Sequence, residues 1–234
     1  MNDVGEVRVR PPEARVAAET LARLSAASAS LVVDQGADCL WLAAPLRPQG
    51  RGPANDRVCG PALTVSVPAG DNVALRVAIE RAQPGDVLLI AGKGYLGRAL
   101  IGEIMARRAI ARGVAGFVID GAVRDTARLA ELPVPVFCRG SALTRATKLG
   151  SGEVGYPVAI ASEVIYPGDV VVGDQDGVAI IRREAAERVA TLIEHGIDYE
   201  AARNRAAEDG DLDLTLGFVG HGAPLAAHTE GFTS

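Results

Sequence analysis

The chain has 234 residues, 48% of them hydrophobic but only 4% aromatic, so it can bury one substantial core built from Ala, Val, Leu and Ile. Its net charge of −5 removes the electrostatic case for nucleic acid as a main partner, and no apolar run approaches the length of a membrane span. Cys39, Cys59 and Cys138 fit neither a zinc knuckle nor a disulfide framework and read as buried thiols of a reducing compartment. With no apolar segment of signal length at the N-terminus, a cytoplasmic protein is expected.

Taken in order, residues 1–14 read as a polar arm containing Pro11-Pro12, and Glu13 to Ala27 has helix-forming composition. A short apolar piece, Leu31 to Val33, lies among Ser28, Ser30 and Asp34, and Pro45 to Arg57 is loop by its Pro, Gly and Asn content. Val58 to Val67 predicts a strand, and Asp71 stands where it can cap a helix over Asn72 to Ala82 that Pro84 stops.

The apolar run Val87 to Ile90 then predicts a buried strand, followed by a Gly-punctuated loop, Gly92 to Gly97, and a helical segment ending at Gly113. A second strand, Val114 to Ile119, leads into a turn bearing Asp120, Gly121, Arg124 and Asp125. Beyond it a short helix (Thr126 to Leu132) and a strand (Val134 to Cys138) are expected. Val170 to Val172 and Val178 to Ile181 flank Gly173 to Gly177 as a hairpin, and Arg183 to Ala207 predicts a long charged helix. From Asp209 the tail is rich in Gly and acids and carries His221 and His228. With no internal repeat or good linker, one α/β domain over 1–234 with a mostly parallel or mixed sheet is expected.

Two chemistries compete for the central stretch. Gly92 to Gly97 matches GxGxxG after a strand, and Asp120 falls 23 residues after Gly97, as a ribose-binding acid would in an NAD(P)-dependent oxidoreductase. Against this, some 80 residues with strand and helix character precede a unit that commonly opens its domain. The other reading gathers Glu103, Arg124 and Asp125. Gly102 opens the 103–112 helix, whose first N–H groups can bind an anion, and the turn after strand 114–119 can bring Arg124 and Asp125 to the same mouth. Two carboxylates suit a hard cation such as Mg²⁺, which keeps waters and accepts a chelating 2-oxo acid. Lys93 in its glycine-flanked loop lacks the desolvation a Schiff-base lysine needs, and His195, His221 and His228 lack ligand spacing.

The stretch GDVLLIAGKGYLGRALIGEIMARRAIARGVAGFVIDGAVRDTARLAELPVPVF resembles the RraA-like family (regulator of ribonuclease activity A), most closely its class II 4-hydroxy-4-methyl-2-oxoglutarate and 4-carboxy-4-hydroxy-2-oxoadipate aldolases. CGPALTVSVPAGDNVAL at 59–75 and PGDVVVGDQDGVAII at 167–181 support it, and the twenty residues between Glu103 and Arg124 are its most specific spacing. The resemblance implies a layered α/β sandwich of swivelling-domain type, assembled as a homotrimer or homohexamer. It implies Mg²⁺ (or Mn²⁺) held by Asp125, with Glu103 acting through water and Glu200 supplied by a neighbouring subunit. Arg124 would contact the substrate's keto or hydroxyl oxygen, and the backbone amides of Gly102, Glu103, Ile104 and Met105 its carboxylate. The implied activity is a metal-dependent lyase releasing pyruvate, with oxaloacetate decarboxylation alongside. The family's namesake, which binds and inhibits a ribonuclease, implies the alternative of a non-catalytic regulator. Glu103 stands where the best-known aldolases carry Asp, and the tail after Gly217 has no counterpart in the family.

Overall fold

The computed structural model describes residues 6–49 and 57–210, which places most of the 45–57 loop, His221, His228 and the tail from 211 outside the described residues. The chain divides into two compact units, 1–193 and 194–234.

Among its described residues the first unit holds twelve strands: β1 (Val7–Val9), β2 (Cys39–Trp41), β3 (Arg47–Pro48), β4 (Val58–Ser66), β5 (Val87–Ile101), β6 (Gly116–Val123), β7 (Val136–Ser141), β8 (Gly152–Val154), β9 (Val158–Ile160), β10 (Glu163–Ile165), β11 (Val170–Gly173) and β12 (Val178–Ile181). Its helices are α1 (Ala18–Leu24), α2 (Ala29–Val33), α3 (Val73–Arg81), α4 (Glu103–Ile110) and α5 (Thr126–Leu129); α6 (Ala186–Glu208) continues into the second unit. Ten strands form one sheet in the order β2-β12-β11-β4-β5-β6-β7-β3, with β1 and β8 off this path, and β9 and β10 make a separate hairpin. β4, β5, β6 and β7 run parallel, while β11, β12, β2 and β3 pair antiparallel. The sheet is mixed, as the alternation of elements predicts.

The central strands are apolar on both faces because both are covered, as parallel sheets require. Leu88 and Ile90 of β5 join Phe117 and Ile119 of β6 on one face, packed by Leu75 and Ile79 of α3 and Ala106 and Ala109 of α4. The intervening Val87, Leu89 and Val118 turn the other way, onto Phe137, Val158, Ile160 and Ile165. This two-residue alternation splits one sheet into two cores, each fully buried large side chain contributing about 1.5–3 kcal/mol.

Several boundaries differ from the sequence expectation. The helix expected over 13–27 forms only as α1, because Arg15 reaches away to Asp86 and to the Pro84 carbonyl (2.9 Å), which holds the preceding chain extended. Within the expected arm, Val7–Val9 is a strand, pairing parallel with β8. Leu31 to Val33 lies in a helix whose Leu31 N–H donates to Ser28 Oγ (3.1 Å). The Gly92–Gly97 loop and the helical residues expected after it are instead a continuation of β5. Lys93 (φ 61) and Gly94 (φ 63) interrupt its register, and pairing to β6 resumes through Ile101↔Val123.

That last pairing builds the site. Two parallel strands end side by side, so the start of α4 after β5 lies against the turn after β6, at the carboxyl end where open α/β sheets bind ligands.

Candidate functional site

β5 ends at Ile101, Gly102 is the N-cap of α4, and Glu103 is its first residue. Across from it, the Arg124 N–H donates to the Ile101 carbonyl (3.0 Å), and Asp125 adopts the left-handed region (φ 58, ψ 38) that non-glycine residues seldom enter. Two contacts hold that conformation: Asp125 Oδ2 accepts the Glu103 N–H (3.2 Å), and the Asp125 carbonyl accepts the Leu129 N–H (2.9 Å). Arg124 Nε lies 3.7 Å from the same Oδ2. Asp125 therefore docks on the positive end of α4, where the first-turn amides favour an anion.

Gly102 makes the docking sterically possible. A Cβ there would lie 2.5 Å from Asp125 Oδ2 and 3.0 Å from Arg124 Cγ. Its backbone is extended (φ −142, ψ −174), so the glycine is needed for close approach, not for an unusual dihedral.

The structure brings together Gly102, Ile104, Met105, Arg124 and Asp125, which line one cavity of about 220 Å³. Glu103 sits beside them through its backbone only. Its carboxylate accepts from Arg107 Nε one turn on (2.9 Å), and its N–H is already given to Asp125. Of the expected amide cradle, Ile104 and Met105 remain as first-turn donors that the helix does not use. Glu200 is exposed on α6 in the second unit.

The cavity has residues that sequence reasoning passed over. Asn72, Arg76, Arg145 and Lys148 also line it, so four cations and one carboxylate face the same space in a chain of net charge −5. Asn72 Nδ2 donates to the Leu100 carbonyl (2.8 Å) and lies 3.4 Å from Met105 Sδ, while its buried Oδ1 has no partner among the described residues. Arg76, Arg145 and Lys148 form no ion pair among the described residues. A basic cluster at 139–148 is visible in the sequence; its approach to Arg76, some 70 residues away, is not.

Hard oxygen donors are available for a cation. Asp125 Oδ1 has no hydrogen-bond partner among the described residues, and no group of three or more His, Cys, Asp or Glu gathers there. One carboxylate beside open space fits Mg²⁺, which keeps several waters, better than a closed all-protein site.

The dinucleotide reading is overturned. The Gly92–Gly97 segment lies inside β5 and opens no helix. Asp120, 3% exposed, accepts the Gly94 N–H (3.0 Å) and pairs with Arg139, so it is buried against its own chain and not open to a ribose. Gly92 is small because a Cβ would meet the Asp120 carbonyl at 2.7 Å. Of the three thiols expected to be buried, two are. Cys39 and Cys138 are buried and Cys59 half-buried, all are free, and burial pushes each thiol up to about 11. No described helix is long and apolar enough to cross a membrane.

Comparison with known proteins gives the family. A Halalkalibacterium halodurans protein, named provisionally as a 4-hydroxy-4-methyl-2-oxoglutarate aldolase, is 41% identical over 160 residues, covering 68% of this chain and 76% of its own. The Thermus thermophilus 4-hydroxy-4-methyl-2-oxoglutarate aldolase is 36% identical over 111 residues, 47% of this chain and 68% of its own. The solved structure of the RNA-processing inhibitor RraA from Thermus thermophilus aligns with a TM-score of 0.61 at 31% identity, over 66% of this chain and 92% of that one. Residues 30–180 match the family described as RraA-like, Aldolase/RraA, and the chain belongs to that family.

Proposed function

We propose that this protein is a divalent-metal-dependent lyase that cleaves a 4-hydroxy-2-oxo acid to pyruvate and a second oxo acid, with oxaloacetate decarboxylation as a side activity. The observation that carries the reading is the seating of Asp125 and Arg124 on the bare mouth of α4, at a cavity whose other charged lining residues are all cationic. The aldolase names of the Halalkalibacterium and Thermus relatives support it.

In this reading Asp125 holds Mg²⁺ or Mn²⁺. Glu103 acts through water after leaving Arg107, and Glu200 of a neighbouring subunit completes the set in a cytoplasmic homotrimer or homohexamer. When bound, the cation supplies Lewis-acid polarisation of the 2-keto oxygen. The Ile104 and Met105 amides take the substrate carboxylate at the helix mouth, where the macrodipole favours an anion. Arg124 sets a fixed positive charge where oxyanion character develops as the carbon–carbon bond breaks. The cationic wall draws the anionic substrate in.

The test is a coupled assay of pyruvate release from 4-hydroxy-4-methyl-2-oxoglutarate and from oxaloacetate, with and without EDTA. EDTA-sensitive release is expected, and Asp125→Ala and Arg124→Ala should each abolish it while the oligomer elutes unchanged. No metal-dependent pyruvate from either substrate, or wild-type rates in Asp125→Ala, overturns the reading. The likeness to the RNA-processing inhibitor favours a second reading, a non-catalytic regulator of a ribonuclease, for which inhibition of that ribonuclease would survive EDTA and both substitutions.

A further inference from the structure

Among the described residues four aspartates are buried: Asp71, Asp86, Asp120 and Asp169. Three of them pair with arginines, Arg15, Arg139 and Arg182 in turn. Asp71, 2% exposed, pairs with no cation among the described residues. Its carboxylate instead collects three donors from two different pieces of chain. Oδ1 accepts the Val73 N–H (2.9 Å) at the start of α3, and Oδ2 accepts the Thr147 hydroxyl (3.0 Å) and the Leu149 N–H (2.6 Å). The same pieces are laced by the Thr147 N–H to the Gly70 carbonyl (2.8 Å) and by a parallel bridge between Asp71 and Thr147.

The two pieces are the two cationic walls of the cavity. α3 and its cap carry Asn72 and Arg76, and the 142–149 segment carries Arg145 and Lys148 on either side of Thr147. The N-cap of α3 is Asn72, not the expected Asp71, and the start of the helix engages Asp71 only through the Val73 bond. The other two bonds reach about 75 residues along the chain and fix a segment that belongs to no named strand or helix between β7 and β8.

We propose that Asp71 is a positioning residue, a latch whose buried carboxylate fixes the Arg145–Lys148 segment against α3 and so sets how tightly the cavity holds an anionic substrate. The proposal rests on the reading of this cavity as the substrate site. Fixing cationic side chains in place before the substrate arrives lowers the ordering cost of binding, so loss of the latch acts on affinity more than on the chemical step.

The experiment compares wild type with Asp71→Asn, Thr147→Val and Thr147→Ser, and repeats Asp71→Asn in an Arg145→Ala/Lys148→Ala background. The readouts are KM and kcat for oxaloacetate decarboxylation, Mn²⁺ affinity by titration, and the rate of tryptic cleavage after Arg145 and Lys148. Asp71→Asn and Thr147→Val should each raise KM about tenfold, the scale of one lost charge-assisted hydrogen bond, with kcat within about threefold. Mn²⁺ affinity should stay at wild type, tryptic cleavage should quicken, and Thr147→Ser should behave as wild type. In the double-alanine background Asp71→Asn should add nothing to KM, since coupled residues are not additive. An unchanged KM in Thr147→Val with turnover intact overturns the latch, as does an equal effect of Asp71→Asn in both backgrounds. If Asp71→Asn fails to fold, the Thr147 pair decides. Wild-type protein that forms no metal-dependent pyruvate overturns the proposed function, and the latch with it.

Discussion

Gly102→Ala is the sharpest single probe of how the site is built. The new Cβ would sit 2.5 Å from Asp125 Oδ2, where ordinary contact begins near 3.4 Å, so the carboxylate must retreat by roughly 0.9 Å. That stretches its bond to the Glu103 N–H from 3.2 Å to about 4 Å, beyond hydrogen-bonding range. Because Asp125 is well exposed, water replaces part of what is lost, and the stability change should be about 1 kcal/mol, or about 2–4 °C in Tm for a chain of this size. The functional loss should be far larger, since an ångström of misplacement can cost about a hundredfold in rate. The extended Gly102 backbone suits alanine, so no dihedral strain competes with this explanation. Thermal unfolding, Mn²⁺ titration and pyruvate release measure the three effects on one preparation. A Gly102→Ala protein that binds Mn²⁺ and turns over as wild type would refute the docking argument, because the two side chains would then tolerate displacement.

Asp120→Ala strands the Arg139 guanidinium and should destabilise the protein by about 3 kcal/mol, the low end for a broken buried pair because Arg139 keeps some water contact; chemical denaturation checks it. The native protein should react with thiol reagents at pH 8 only slowly, and rapidly once unfolded, since burial holds each thiol near 11. The sign follows for stability. Folding keeps these thiols protonated, so above about pH 9 the unfolded chain binds fewer protons and stability should fall as pH rises toward 11, which thermal melts across that window would detect.

Much of the central unit was legible from local pattern. Val87 to Ile90 is an apolar run too short for a helix and falls in β5, while the strand expected over Val114 to Ile119 forms as β6 from Gly116 and runs on to Val123, taking in Asp120 and Gly121 that were expected in the turn. The bounds of the structured pieces between them were not legible. Gly92 to Gly97 has loop composition, yet β5 runs through it, with its register to β6 broken at Lys93 and Gly94 and taken up again at Tyr95↔Gly121. β8, β9 and β10 are three residues each, too short for a two-residue period to register, and β1 exists only because β8 lies alongside it.

The candidate site divides in the same way. Glu103, Arg124 and Asp125 could be picked out along the chain because a helix start and a post-strand turn are local events with chemical signatures. That Asp125 would take the Glu103 amide while the Glu103 side chain swung to Arg107 was decided by the register Ile101↔Val123. Asn72, Arg76, Arg145 and Lys148 entered the cavity through the buried carboxylate of Asp71, which joins segments about 75 residues apart. Sequence by itself set which pieces of backbone are strands, helix mouths and turns, since those follow from apolar period and glycine placement among near neighbours. Which polar groups face one another was left to the fold, because distance in space between residues far apart in the chain depends on sheet order and register, and neither has a local cause.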